Sequence, residues 1–186
     1  IINKYNNINK KDKYKFLNNS EKDNKKKEIT SVKDIKKKGL TKRISTGMNT
    51  LNQLLGGEEK NYGIFPNSLV LIGGAPGIGK STILTQVIDY VQEHQKKDDG
   101  SDFKCAYISA EENSTQVKNR ADRLNCEQNW AFDSENNLFQ IMTDFDDYDF
   151  LIIDSINTIF IEGAGVIGGV SQIKECTNVL MNWAKQ

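Results

Sequence analysis

The chain has 186 residues, with 25 Lys or Arg, 25 Asp or Glu and one His, so its formal net charge is zero. That length allows one sizeable core, or one domain with a tail. No apolar run approaches the ~18–20 residues of a membrane span, and none opens the chain as a secretory signal does. We therefore expect no membrane-spanning helix.

The neutral total hides two parts of opposite charge. Residues 1–38 contain 13 Lys and 5 Asp or Glu, a net charge of +8, and residues 39–186 carry −8. Residues 1–38 are rich in Lys and Asn and bury too little apolar area to offset the entropy of ordering, which predicts a disordered basic arm. The arm either contacts nucleic acid or is a solvated extension without a function, and we favour the second. Residues 39–186 are expected to form the folded core.

The spacing of apolar residues predicts the elements of the core. In chain order we expect a helix at 48–55, a strand at 68–72, a helix at 80–95, a strand at 105–109, a helix at 114–124, strands at 138–142 and 150–153, and a helix at 171–184. This alternation indicates an α/β fold, a mostly parallel sheet with helices on both faces. Such a sheet normally continues beyond a central strand, so we expect a fragment of a longer protein, truncated at its C-terminus. On the helix at 114–124, Arg120 and Arg123 are expected to point away from the inner face.

The three cysteines lie far apart in the chain, at Cys105, Cys126 and Cys176. None forms a C-x-x-C pair, which argues against a zinc site or a disulfide framework. We expect free thiols in an intracellular, reducing compartment.

Residues 74–81 fit the pattern G-x-x-x-x-G-K-[ST] at every fixed position, between a predicted apolar strand and an amphipathic helix. In this P-loop motif the backbone N–H groups surround the phosphates of ATP, the Lys reaches the β- and γ-phosphates, and the hydroxyl ligates Mg²⁺. The motif therefore predicts an ATP site formed by Gly74, Ala75, Pro76, Gly77, Ile78, Gly79, Lys80 and Ser81.

Two acidic positions follow predicted strands of the same sheet. Asp154 ends the apolar run at 150–153, where a carboxylate holds Mg²⁺ in P-loop ATPases, usually through water. Glu111 and Glu112 follow the strand at 105–109, which we expect to lie beside the strand that precedes the P-loop. A carboxylate there can orient or deprotonate the attacking water. The pattern alone does not choose between the two glutamates.

The order of several short segments resembles the bacterial RadA (Sms) family of DNA repair ATPases, over about residues 39–186. The matching segments are RISTG at 43–47, LLGG at 54–57, SLVLIGG and the P-loop at 68–82, YISAEE at 107–112, QVK at 116–118, RADRL at 120–124, LIIDS at 151–155 and VSQIKECT at 170–177.

The resemblance implies a RecA-like core that uses ATP and Mg²⁺ to act on branched or single-stranded DNA, as part of a homo-oligomeric ring. The resemblance extends the nucleotide site to Thr82 and makes Glu111 rather than Glu112 the catalytic glutamate, so that the catalytic residues are Glu111 and Lys80. It also makes Gln172 a candidate sensor of the nucleotide. The family's four-cysteine zinc module has no counterpart before Cys105, and its downstream Lys-Asn-Arg-Phe-Gly motif does not occur in the chain. A RecA-like signalling ATPase, or a nucleotide-binding switch, with protein partners remains the alternative.

Overall fold

A computed structural model describes residues 31–34, 41–58 and 60–185 of the chain. The chain divides into two units between Lys42 and Arg43. In the first unit the described residues include one turn of 3₁₀ helix, Val32–Asp34. Most of the basic arm predicted at residues 1–38 lies outside the described residues.

The second unit is an α/β fold, as the sequence predicts. Its helices and strands in chain order are α1 Asn49–Leu55, β1 Gly57–Glu58, β2 Asn61–Tyr62, α2 Lys80–His94, β3 Cys105–Ile108, α3 Ser114–Arg123, β4 Ala131–Asp133, α4 Leu138–Asp144, β5 Phe150–Ile153 and α5 Val170–Trp183. Strands β1 and β2 pair as a short antiparallel hairpin. Strands β4, β3 and β5 form a parallel sheet in that order.

The core of the protein is centred on β3 and α2. All four residues of β3 are buried, as expected for the middle strand of a parallel sheet that is covered by other elements. Helix α2 packs against β3, β5 and α3. Residues of α2, β3 and β5 form a buried apolar cluster, whose members are Val87, Ile88, Val91, Cys105, Tyr107 and Ile152.

The register of the sheet brings the ends of β3 and β5 to the same edge. Ile108 is paired with Ile153, and the backbone N–H of Asp154 donates to the carbonyl of Ile108 at 2.9 Å. Residues 109–112 and 154–155 therefore leave the sheet side by side. Ligands of open α/β sheets bind at this edge.

The strand predicted at residues 138–142 is wrong, because this segment is helix α4. The side chain of Asn137 accepts hydrogen bonds from the backbone N–H groups of Phe139 and Gln140, which caps the start of a helix. The buried residues recur at intervals of three and four, at Leu138, Ile141, Met142 and Phe145. That spacing is helical, and it continues beyond residue 142, where the predicted strand ends. Strand β4 and the β1–β2 hairpin were not predicted.

Residues 68–72, predicted as the strand before the P-loop, form no strand ladder. Their apolar side chains are partly exposed, up to 66% at Leu71. The expectation that the strand at 105–109 lies beside this segment is also wrong, since β3 has β4 on one side and β5 on the other. A cleft of about 560 Å³ is lined by residues of both 67–72 and 149–156. Among the described strands, none provides the backbone partners that would draw residues 68–72 into the sheet.

The helical assignment of residues 138–144 makes a testable prediction about which side chains matter for stability. Ile141→Ala is expected to lower the free energy of unfolding by about 2–5 kcal/mol, because Ile141 is fully buried and its truncation leaves a cavity. Gln140→Ala is expected to change it by less than about 0.5 kcal/mol, because Gln140 is exposed. In a strand, Gln140 would share the buried face of Leu138 and Met142. Urea unfolding that shows equal losses for both variants would contradict the helix.

Candidate functional site

The P-loop motif forms an exposed loop that leads into the N-terminus of α2. Gly77 has φ of 75° and Gly79 has φ of 103°, both in the left-handed region. An added Cβ at either position would meet no atom within 4 Å, so the backbone conformation, and not crowding, requires glycine there. Gly79 caps the helix without a side-chain hydrogen bond. The first N–H groups of α2 are thus left for an external acceptor, an arrangement that favours anions.

The side chain of Lys80 lies back across this loop. Its ammonium group donates to the carbonyl oxygen of Gly74 at 3.0 Å and to that of Ala75 at 3.1 Å. Both acceptors are neutral, so a phosphate oxygen at the loop would be a stronger partner for the charge. The ammonium group of Lys80 therefore lies where it can leave these two carbonyl oxygens for oxygens of a phosphate.

The first turn of α2 touches the end of β5 through one hydrogen bond. The hydroxyl of Ser81 donates to Oδ2 of Asp154 at 2.6 Å. Asp154 is only 8% exposed, and the sheet edge fixes its backbone. The two residues predicted from separate motifs to hold Mg²⁺ thus lie in direct contact.

The donor set at this contact suits Mg²⁺ that arrives with a phosphate. Within the described ranges, no group of three or more His, Cys, Asp or Glu side chains is placed to hold a metal ion. Mg²⁺ commonly keeps several waters and binds through one or two protein oxygens together with substrate phosphates. A hydroxyl and a carboxylate at the mouth of the P-loop motif fit that pattern.

A second donor approaches the same carboxylate from β3. The hydroxyl of Tyr107 donates to Oδ2 of Asp154 at 2.6 Å. Burial, together with the hydrogen bond to Asp154, raises the pKa of Tyr107 far above its usual range. The phenol therefore keeps its proton at all physiological pH values and acts as a donor to Asp154.

The side chain of Arg120 is buried, which corrects the expectation that it points away from the inner face. It is 8% exposed, and its Nε donates to the hydroxyl of Thr85 at 2.8 Å. Its Nη2 donates to the hydroxyl of Tyr107 at 3.1 Å, and its Nη1 pairs with the carboxylate of Glu112. Burial alone would lower the pKa of Arg120, but the hydrogen bond to Glu112 and the electrostatic effects of Tyr107, Glu112 and Asp154 together raise the pKa. A guanidinium group can be buried here because each of its three nitrogens donates to an acceptor.

The two neighbouring glutamates have different environments. Glu111 is exposed, and its Oε1 accepts a hydrogen bond from the hydroxyl of Ser155 at 2.5 Å. Glu112 is 29% exposed at its side chain and is paired with Arg120. The carboxylate of Glu111 is thus held beside Asp154 at the open edge of the sheet. The carboxylate of Glu112 already forms an ion pair with the buried guanidinium group of Arg120.

The remaining candidate, Gln172, lies inside the protein rather than at the open edge. It is 0% exposed, and its Nε2 donates to the carbonyl of Ile161 at 3.5 Å and lies 3.5 Å from the sulfur of Cys176. Its Oε1 is buried without a hydrogen-bond partner. The sensor role assigned to it stays a prediction.

Sequence reasoning did not identify Tyr107, Arg120 and Thr85 as parts of this site. Arg120 carried a usable signal, because it lies three residues after Val117 and four before Leu124, on the inner face of α3. Tyr107 and Thr85 carried none, since an aromatic residue in a buried strand and a Thr in a helix are ordinary packing residues.

No protein-family model matches the chain. The DNA repair protein RadA of Listeria monocytogenes is 43% identical over 148 residues, which cover 77% of this chain and 30% of that protein. RadA of Rickettsia typhi is 43% identical over 150 residues, covering 77% and 31%. RadA of Streptococcus pyogenes serotype M6 is 42% identical over 147 residues, covering 77% and 30%.

The chain spans about 30% of the length of these relatives. Its described core is the α/β architecture, with a parallel sheet flanked by helices, expected of a RecA-like protein. Together with the identity to several relatives of one name, this confirms the resemblance drawn from the motifs: the protein is of the RadA type.

Proposed function

We propose that this core binds ATP with Mg²⁺ and hydrolyses it, as the ATPase part of a protein that acts on branched or single-stranded DNA. The observation that carries the proposal is the hydrogen bond from Ser81 to Asp154 at the mouth of the P-loop motif. It brings together the hydroxyl and the carboxylate that P-loop ATPases use around Mg²⁺.

Binding follows from the positions of the loop and of Lys80. The free N–H groups at the start of α2 donate hydrogen bonds to the phosphates, and residues 74–79 surround them. Lys80 leaves the carbonyls of Gly74 and Ala75 for phosphate oxygens, which makes its hydrogen bonds stronger. Ser81 and Asp154 hold Mg²⁺, and Mg²⁺ when bound supplies positive charge that stabilises the transferred phosphoryl group.

Hydrolysis is assigned to Glu111. Its exposed carboxylate, held by Ser155, accepts a proton from the attacking water as the bond from water oxygen to the γ-phosphorus forms and the bond to the leaving ADP oxygen breaks. Glu112 is a weaker candidate, because its carboxylate already forms an ion pair with the buried guanidinium group of Arg120.

A homo-oligomeric ring is proposed from the distribution of arginines. P-loop ATPases commonly receive a cation for the γ-phosphate from a neighbouring subunit. Residues 39–186 contain three arginines. Arg43 donates to the carbonyls of Leu55 and Gly63, and Arg120 is buried, so neither is free for this role, whereas Arg123 on α3 is exposed. The chain alone is therefore expected to bind ATP and to hydrolyse it slowly.

The proposed setting is intracellular, with DNA as partner. The name of the relatives, DNA repair protein RadA, supports DNA as the partner. Cys105, Cys126 and Cys176 are free thiols, which supports a reducing compartment. No helix among the described residues is long and apolar enough to cross a bilayer.

The P-loop assignment predicts that Lys80→Ala nearly abolishes ATP binding, because the phosphates lose their nearest fixed cation. Titration with a fluorescent ATP analogue in MgCl₂ measures the affinity. Lys118→Ala is the matched control, since Lys118 is an exposed lysine of α3 that pairs with Asp122. Equal affinity of the Lys80 variant and the parent protein would overturn the assignment.

The catalytic assignment predicts that Glu111→Gln keeps the affinity for ATP but slows phosphate release by ~10²-fold or more, the scale of losing a general base. Glu112→Gln, which keeps an oxygen acceptor for Arg120, is the matched control and should slow it much less. Phosphate release at saturating MgATP is measured for the parent and both variants. A loss confined to the Glu112 variant would show that the two glutamates have been assigned the wrong way round.

A further inference from the structure

We infer that Tyr107 is a positioning residue for the Mg²⁺ site, which holds the carboxylate of Asp154 in the orientation that Ser81 and the metal require, and that Arg120 fixes the Tyr107 hydroxyl. The inference rests on the proposed function and concerns residues for which neither the motifs nor the relatives supply a role. The described contacts form one continuous chain, from Glu112 through Arg120 and Tyr107 to Asp154 and on to Ser81.

The direction of each hydrogen bond in this chain is set by chemistry. A guanidinium group only donates, so the hydroxyl oxygen of Tyr107 must accept from Nη2 of Arg120. The single proton of the phenol is then directed to Asp154, which as a carboxylate only accepts. Since Arg120 occupies the acceptor side of the hydroxyl, Tyr107 cannot turn its proton elsewhere without losing that bond.

The hydrogen bond to Asp154 also determines which part of the Ser81 hydroxyl is available to a cation. Its hydroxyl proton is directed to Oδ2 of Asp154, so the lone pairs of its oxygen are turned away from the carboxylate. Tyr107 and Ser81 share Oδ2, and among the hydrogen bonds of the described residues none uses Oδ1 of Asp154. One carboxylate oxygen is thus fixed by protein donors, and the other is left for water of the metal ion.

The ring of Tyr107 cannot easily move. Its side chain is 0% exposed, it belongs to the central apolar cluster, and its ring lies 6.0 Å from that of Trp130. In addition to the hydrogen bond between Arg120 and the Tyr107 hydroxyl, the guanidinium carbon of Arg120 lies 5.5 Å from the centre of the Tyr107 ring. A rigid phenol is a suitable support, because second-shell partners act by orienting the groups that bind the metal.

Arg120 is itself anchored to the helix that carries Ser81. Its Nε donates to the hydroxyl of Thr85, and that hydroxyl donates to the backbone carbonyl of Ser81 at 2.7 Å. The two ends of the Mg²⁺ site, Ser81 on α2 and Asp154 after β5, are therefore linked both directly and through Arg120. We therefore expect a substitution at Tyr107 or Arg120 to weaken binding of Mg²⁺ more than binding of the nucleotide.

The test is Tyr107→Phe, which removes one oxygen and keeps the buried ring. At a fixed concentration of a fluorescent ATP analogue, MgCl₂ is titrated and the half-saturating Mg²⁺ concentration is measured. We expect it to rise about tenfold, the scale of one lost hydrogen bond to a charged group. Affinity for the analogue in EDTA should be unchanged, because no metal is then bound. Tyr90→Phe is the matched control, since Tyr90 lies on α2 and its ring stacks on His94, away from this chain of hydrogen bonds.

A purely structural role for Tyr107 gives a different result. The unfolding midpoint of Tyr107→Phe would then fall while its half-saturating Mg²⁺ concentration stayed at the parent value, and that would overturn the inference. If Tyr107→Phe does not fold, Arg120→Lys keeps the ring and a cation for Glu112 but loses the planar fork that reaches Tyr107, and should raise the same concentration. An unchanged concentration in Arg120→Lys would overturn the inference as well.

The outcome also separates this inference from the proposed function. A parent protein whose binding of the analogue does not respond to MgCl₂ overturns both. A parent that responds, beside a Tyr107→Phe variant that responds identically, overturns the positioning role alone and leaves the ATP site in place.

Discussion

The hydrogen bond from Ser81 to Asp154 joins positions that are 73 residues apart in the chain, and it forms only if three features are correct together. Helix α2 must begin at Lys80, β5 must end at Ile153, and β5 must pair with β3 in the observed register. A slip of one residue in β5 would turn the Asp154 side chain to the opposite face of the sheet. The site thus depends on the sheet register, which the burial of β3 and of Ile152 maintains.

The charges around this contact are arranged in opposition to those of the core as a whole. Residues 39–186 carry a net charge of −8, which by itself repels a polyanion such as ATP. At the site, donors converge on Asp154 from Tyr107 and Ser81, and Arg120 neutralises Glu112. Lys80 is the cation that reaches the P-loop, and it contacts only carbonyl oxygens there. ATP binding by such a core should therefore depend strongly on Mg²⁺, which brings the positive charge that the protein lacks.

Much of the site could be predicted from the sequence, because the P-loop and the acid after an apolar strand are local patterns with fixed spacing. Helix α2 and strand β5 follow from those patterns, whereas the direct hydrogen bond from Ser81 to Asp154 is seen only in the folded structure. The sequence does not reveal that residues 68–72 form no strand, since a strand needs a neighbour and the sequence of one segment does not supply it. The burial of Arg120 does not follow from its charge, which usually indicates exposure, but a buried guanidinium group is stable when Glu112, Thr85 and Tyr107 accept its hydrogen bonds.

In the proposed site, Asp154 and Ser81 hold Mg²⁺ together with ATP. The most direct measurement is the affinity for a fluorescent ATP analogue in MgCl₂ and in EDTA, for the parent protein and for Asp154→Asn. We expect the parent to bind at least about tenfold more tightly with Mg²⁺, and Asp154→Asn to lose most of that gain while keeping its affinity in EDTA. The same gain in affinity from Mg²⁺ in both proteins would show that Asp154 does not hold the metal ion.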